Sequence, residues 1–266
     1  MFFPFHDNNP TRRWPVVTLT LIAMNVLCFL WMLGLPDVQQ QTLVYERGFV
    51  PARIGQLQHG RVLDIKVPQA EPEHIPEAPQ QMQRLAADPG EIYASLLTCM
   101  FLHGGWLHLL GNMWFLWLFG NNVEDRLGHI AFGLFYLAGG LVATACHWAT
   151  VPQDAIPVIG ASGAVSGILG AYAITWPFAK IRTLVFLVIF LTIVELPALL
   201  VLGIWFVQQI LEATVLDMGV GGGVAWWAHI GGFIAGFVVM PIAGLLRPAP
   251  QEAWEAQFGP QAINRA

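Results

Sequence analysis

The chain has 266 residues, of which 56% are hydrophobic and only 11% charged, against about 25% charged in soluble domains. Its mean hydropathy of +0.58 puts it among membrane proteins, and a net charge of −5 with scattered Lys and Arg excludes a basic nucleic-acid surface. The length favours one bundle over two domains, and Cys28, Cys99 and Cys146 lack metal-ligand spacing and read as small apolar residues rather than a disulfide framework.

In chain order, Met1–Asn9 lacks the basic start of a signal peptide, and Arg12 and Arg13 directly precede a charge-free run, Pro15–Leu35. That run is long enough to span a bilayer, which takes about 20 residues. No small-residue cleavage site follows it, so an uncleaved first helix behind a cytoplasmic tail, 1–13, is expected. Residues 36–91, with a Pro-rich stretch from Val67 to Pro79, read as a long first outer loop. A second span lies within Ile92–Phe119, a third within Leu127–Thr150, and a fourth runs from Ser162 to about Pro177. Thr183–Val194 is apolar but too short to cross. It is expected to lie in the interface, or to extend with a kink a fifth helix that starts near Glu195 and Pro197 and continues through Ala198–Leu211. Ala225–Leu246 makes the sixth span, and 247–266 a cytoplasmic tail. The predicted fold class is all-α, a polytopic six-transmembrane-helix bundle over residues 14–246.

The distribution of basic residues agrees with six spans. With the N-terminus cytoplasmic, Arg12, Arg13, Arg126, Lys180, Arg182 and Arg247 all fall on the cytoplasmic side. Spans four and six then run in the same direction, so Ser162 and His229 both lie at outer ends. The fourth span is roughly 24 Å long at about 1.5 Å per residue, shorter than the ~30 Å hydrocarbon layer. Ser162 is therefore expected below the outer surface, in a water-filled depression.

Polar side chains inside hydrocarbon are costly and mark functional sites. Ser162 and His229 each open an apolar helix, and a nucleophile with a general base points to hydrolysis within the bilayer. Gly163, Gly167 and Gly170 follow Ser162 along one face, and Gly232 and Gly236 follow His229 along another. Such small-residue stripes let membrane helices approach closely and would bring the serine to the histidine. His108 and Asn112, one turn apart on the second span, suit an oxyanion hole, together with the Ser162 N–H at a helix start. His103 and His108 lack the spacing and glutamate of a zincin, so no metal site is expected. His6, His59, His74, His129 and His147 read as loop or interface residues. Glu195 is predicted near the cytoplasmic end, away from His229, which leaves a Ser–His dyad without an acidic third member.

The segments His108-Leu-Leu-Gly-Asn112, Glu124-Asp-Arg126-Leu-Gly128, Gly160-Ala-Ser162-Gly163 and Ala228-His229-Ile-Gly-Gly232-Phe-Ile-Ala-Gly236 occur in this order. In them the chain resembles the rhomboid family of intramembrane serine proteases. The resemblance implies a six-helix core with Ser162 as nucleophile, His229 as base, and His108 and Asn112 as oxyanion stabilisers. It also implies cleavage of transmembrane protein substrates near the outer membrane face without a cofactor. Bacterial members with these properties lie in the inner membrane, surrounded by membrane lipid. Two positions depart from the pattern of some members. Ser166 stands where those carry a tyrosine stacked on the histidine, and Ala94-Ser95 replaces a Trp-Arg pair that anchors their first outer loop. Two rival readings are an inactive relative that binds membrane clients and a transporter using the polar residues as a pathway; the presence of both Ser162 and His229 argues against the first, and the lack of an internal repeat against the second. The glycine-rich segment between Ala213 and Val224, with Asp217, Gly219 and Gly221–Gly223, is expected to cap the depression over Ser162.

Overall fold

A computed structural model describes residues 2–59, 62–67, 81–187, 190–216 and 224–246. The first element is a strand, β1 (Phe2–Asp7), followed by an uncharged helix, α1 (Val16–Leu33). Pro15 cannot cap α1 with its side chain, and a helix start leaves backbone N–H groups without partners. They are satisfied from a distance: the buried Glu124 carboxylate accepts from Val17 N–H at 2.8 Å, Thr18 N–H at 2.7 Å and the Thr18 hydroxyl at 2.7 Å.

The segment expected as one long outer loop is built from regular elements. Helices α2 (Asp37–Arg47) and α3 (Ala52–His59) come first, then a hairpin of β2 (Leu63–Val67) and β3 (Gln81–Leu85). Its Pro-rich stretch beyond Val67 lies outside the described residues, as do His74 and the tail 247–266. The second span is also more than one rod. Helix α4 (Pro89–Thr98), capped at its start by the Asp88 side chain, continues through a 3-10 turn, Cys99–Phe101. The chain then bends by 78° into α5 (Trp106–Leu127). Gly128, at φ 82°, ends α5 in the left-handed region that glycine adopts without strain, and α6 (His129–Thr150) begins at once. Helix α7 (Ser162–Thr175) is the most enclosed: from Ala164 to Ala173 every residue is buried.

The all-α expectation needs correction. Thr183–Val194 is not a helical extension: its described residues belong to a hairpin, β4 (Lys180–Leu187) and β5 (Phe190–Pro197). β1 pairs antiparallel with the other edge of β4, His6 opposite Arg182, so the residues expected as a free tail complete a three-stranded sheet in the order β1-β4-β5. The reason is local composition: Ile181, Thr183, Val185, Thr192, Ile193 and Val194 are β-branched, which suits strands. Across the hairpin, Glu195 pairs with Arg182 at 3.4 Å and Lys180 at 3.5 Å. The hydrogen bonds from Arg182 and Asn8 hold its carboxyl below the usual range.

Pro197 directly precedes α8 (Ala198–Leu211), which runs on through a π-helical turn, Glu212–Leu216, and α9 (Trp226–Leu246) closes the bundle. The fold is thus mostly helical. Among the described residues α1, α6 and α9 are long and apolar enough to cross a membrane, and α4 with α5 makes a fourth crossing if the bent pair counts as one. Helices α7 and α8 are apolar but shorter. Phe119, Phe132, Tyr136, Ile168, Leu169 and Tyr172 form the packed centre around α7.

Candidate active site

Ser162 is the first residue of α7, and the chain reaches it through a strand-like segment fastened on both sides. Phe49 and Val158 exchange backbone hydrogen bonds at 3.0 and 2.7 Å, Ala52 N–H donates to Asp154 O at 2.9 Å, and Gly160 N–H donates to Cys99 O at 2.8 Å. Gly160 has φ 117°, and a Cβ there would collide with the His108 ring and touch the Asn112 amide. Only glycine fits, and its place puts His108 and Asn112 beside the entry to α7.

The glycine stripes meet. A Cβ on Gly232 would overlap the Gly163 carbonyl, one on Gly236 the Gly167 carbonyl, and one on Gly170 the Phe233 carbonyl. Gly163 also faces Ala143 of α6 and Ala228 of α9. This approach of α7 to α9 leaves Ser162 Oγ 2.8 Å from His229 Nε2. His229 is 9% exposed and Ser162 half-buried, so the contact is partly enclosed by the bundle. Ser162 and His229, the nucleophile and base expected from the sequence, are brought together.

Nearby, Asn112 Nδ2 donates to the His108 carbonyl at 2.9 Å, one turn back on the same helix. Gly104 N–H donates to His108 Nδ1 at 3.5 Å. In a neutral ring this leaves the proton on Nε2, the nitrogen nearest Gly160. His108 Nε2 and Asn112 Nδ2 thus both lie beside Gly160, two residues before Ser162. The His103 ring, 1% exposed, packs edge-on against His108 at 5.0 Å between centroids.

The remaining described histidines lie outside the Ser162–His229 contact. His147 is buried in the last turn of α6. His129 starts α6 and bonds the Glu124 carboxylate, His6 lies on β1 and His59 ends α3. Among the described residues no group of three or more His, Cys, Asp or Glu could hold a metal ion. The segment with Asp217, Gly219 and Gly221–Gly223 lies outside the described residues.

The structure also answers the two departures. Ser166 does not support His229; its hydroxyl donates to the Ser162 carbonyl at 2.6 Å. His229 is flanked instead by Trp205 and Trp226, at 6.1 and 5.9 Å between ring centroids, and its Nδ1 lies 2.6 Å from Gln209 Oε1 of α8. In place of a Trp-Arg pair, Arg53 is 1% exposed and ties the α2–α4 segment together. It donates to Tyr45 O, Glu46 O and Ala86 O and pairs with Glu91 at 3.3 Å. Neither Gln209 nor Arg53 was singled out from the sequence, although a glutamine pair within the otherwise apolar α8 is a signal of the kind that marked Ser162.

Residues 89–245, more than half of the chain and including Ser162, His229, His108 and Asn112, match the Rhomboid domain model. The chain is 37% identical to RHOMBOID-like protein 2 of Arabidopsis thaliana over 170 residues, 60% of this chain and 44% of that protein. It is 29% identical to Rhomboid-like protein 11, chloroplastic, from the same plant over 156 residues, 54% of this chain and 50% of that protein. Over 159 residues it is 36% identical to RHOMBOID-like protein 4, covering 58% of this chain and 34% of that protein. The chain thus spans half or less of the length of these relatives. The domain match, the apolar helices and the order of the motifs agree: this chain is a membrane protein of the rhomboid family.

Proposed function

We propose that the protein is an intramembrane serine endopeptidase that cuts transmembrane protein substrates near the outer membrane face with a Ser162–His229 dyad and no cofactor. The observation that carries this reading is the 2.8 Å contact between Ser162 Oγ and His229 Nε2, which is hydrogen-bond reach for a nucleophile and its base. His229 Nε2 takes the hydroxyl proton as Oγ attacks the scissile carbonyl carbon, and the proton then passes to the leaving amine. Water repeats the sequence to release the acyl group. The negative oxygen of each tetrahedral intermediate is met by the Ser162 N–H at the start of α7, by His108 Nε2–H and by the Asn112 amide.

We read α1, α4 with α5, α6, α7, α8 and α9 as six crossings of one domain, 14–246, between cytoplasmic tails. The contacts at one end support this orientation. Arg13 N–H donates to Asp125 Oδ1 and Asn8 N–H to Lys180 O, so Arg12, Arg13, Arg126, Lys180 and Arg182 gather there. Tyr172, in the last turn of α7, bonds Asp7 at that same end. Ser162 is at the opposite end of a helix only roughly 21 Å long at about 1.5 Å per residue, which supports a position below the outer surface of a ~30 Å layer.

The test is cleavage of a single-span membrane protein co-reconstituted in liposomes. The wild-type protein should yield two fragments cut near the outer face, and Ser162→Ala none. A wild-type protein as inert as Ser162→Ala across a panel of such substrates favours the client-binding reading instead.

A further inference from the structure

Ser–His chemistry requires one particular tautomer of the base. Nε2 must be free to accept the serine proton, so the ring proton must sit on Nδ1. In the triads of soluble serine proteases a buried carboxylate fixes this by accepting from Nδ1. Among the described residues, the acids of the elements flanking α8 do not do so: Glu195 is paired with Arg182 and Lys180 on the β4–β5 hairpin, and Glu212 accepts from Gln208 at 2.9 Å.

The position opposite Nδ1 is filled by an amide. Gln209 Oε1 lies 2.6 Å from His229 Nδ1, Gln209 is 4% exposed, and the contact is buried. A carbonyl oxygen can only accept, so this contact places the ring proton on Nδ1 and leaves Nε2 with a lone pair directed at Ser162 Oγ, 2.8 Å away. Trp205, one helical turn before Gln209 on α8, packs against the same ring and against Phe233, which holds the plane of the imidazole while Gln209 sets its protonation. We propose that Gln209 is the positioning residue of this site, a neutral third member that selects the Nδ1–H tautomer of His229 and orients the base. This inference rests on the Ser162–His229 reading and deepens it.

An amide differs from a carboxylate in a way that can be measured. It orients the ring without stabilising the imidazolium by charge, so a Gln209→Glu change adds a negative charge next to a base that the native site leaves unassisted. The other titratable side chains facing His229 are His108 from α5 and His147 from α6. Their charges are common to all variants, so they do not produce a difference between them.

The experiment uses the full chain in detergent or lipid with ring-¹⁵N-labelled histidine, and the His229 signals are identified by their loss in His229→Ala. In the wild type, Nδ1 should carry the proton and Nε2 should not; in Gln209→Met the preference should be lost. Gln209→Met should lower kcat roughly 10- to 100-fold with little change in KM, less than the ~10⁴-fold seen when the wrong tautomer is imposed on a serine triad. Gln209→Glu should restore most of that activity and move the acidic limb of the kcat/KM profile to higher pH by about one unit or more, because a carboxylate favours the charged ring. A structural role would not shift that limb. The proposal is overturned if the wild-type ring is protonated on Nε2, if folded Gln209→Met keeps wild-type kcat, or if the Gln209→Glu profile coincides with that of the wild type. The ring spectra need no turnover, so a protein that proves not to be a protease still decides the role of Gln209.

Discussion

Gly232 on α9 lies so close to Gly163 on α7 that a Cβ on the first would overlap the carbonyl oxygen of the second. Ser162 precedes one of these glycines and His229 stands one turn before the other. The approach of the two backbones therefore sets the Ser162–His229 distance. Packing and chemistry share the same few atoms.

Gly232→Val should accordingly do more than destabilise. Overpacking costs about 1–3 kcal/mol, and a shift of about 1 Å between reacting groups can cost on the order of 10²-fold in rate. Both a lower melting temperature and a loss of reactivity towards a serine-directed fluorophosphonate are expected. Wild-type labelling in a folded Gly232→Val protein would separate the glycine contact from the site. Gly203 of α8, where a Cβ would meet nothing within 4 Å, serves as the control: Gly203→Ala should leave labelling unchanged.

Asn112→Ala removes a donor that acts on the transition state, so kcat should fall more than KM rises. One oxyanion donor is worth on the order of 10²-fold, and the His108 Nε2–H and Ser162 N–H offset part of that loss. Steady-state kinetics on a reconstituted substrate checks it; a pure KM effect would make Asn112 a substrate-binding residue.

The polar residues at the starts of α7 and α9 were legible in the sequence because hydrocarbon makes Ser162 and His229 conspicuous, and the glycines at helical spacing indicated which faces could meet. The β4–β5 hairpin was not, since an apolar run of its length fits a strand or a buried helix equally and periodicity cannot choose. β1 escaped for a related reason: its partner is β4, about 180 residues away, and six residues show no pattern of their own. The bend after Cys99–Phe101 is invisible to hydropathy, which averages across Gly104 and Gly105. Gln209 was missed because a third member was sought among acids. Arg53 was missed because its partners, Tyr45, Ala86 and Glu91, come together only in the fold.

Glu124→Ala should destabilise the bundle without touching the site. It strands the Val17 and Thr18 N–H groups and the Thr18 hydroxyl in a buried setting, where unbonded donors cost about 1–3 kcal/mol each. A loss of about 3 kcal/mol is expected from thermal unfolding in detergent. Glu124→Gln, which keeps one acceptor oxygen, should lose less.

Asp7 supplies a pH dependence. Its carboxylate accepts from Tyr172 O–H at 2.8 Å and Asn122 Nδ2 at 2.7 Å, fastening β1 to α7 and α5. Burial outweighs these bonds and raises its pKa from 3.8 to about 6. A carboxyl that binds its proton more tightly when folded destabilises the fold fully above about pH 6, and that penalty is relieved as pH falls towards 4. Wild-type stability should therefore rise relative to Asp7→Asn between pH 7 and pH 5. Parallel curves for the two proteins over this range would show that Asp7 is not buried by the docking of β1.

The most direct test of the dyad is the site of covalent modification by a fluorophosphonate, mapped by mass spectrometry on the wild-type protein and on Ser162→Ala, His229→Ala and the double variant. The Ser162–His229 geometry predicts one adduct, on Ser162, lost in all three variants, with the double variant no less reactive than either single one because nucleophile and base act as a unit. An adduct that persists in Ser162→Ala, or full labelling of Ser162 in His229→Ala, would contradict it.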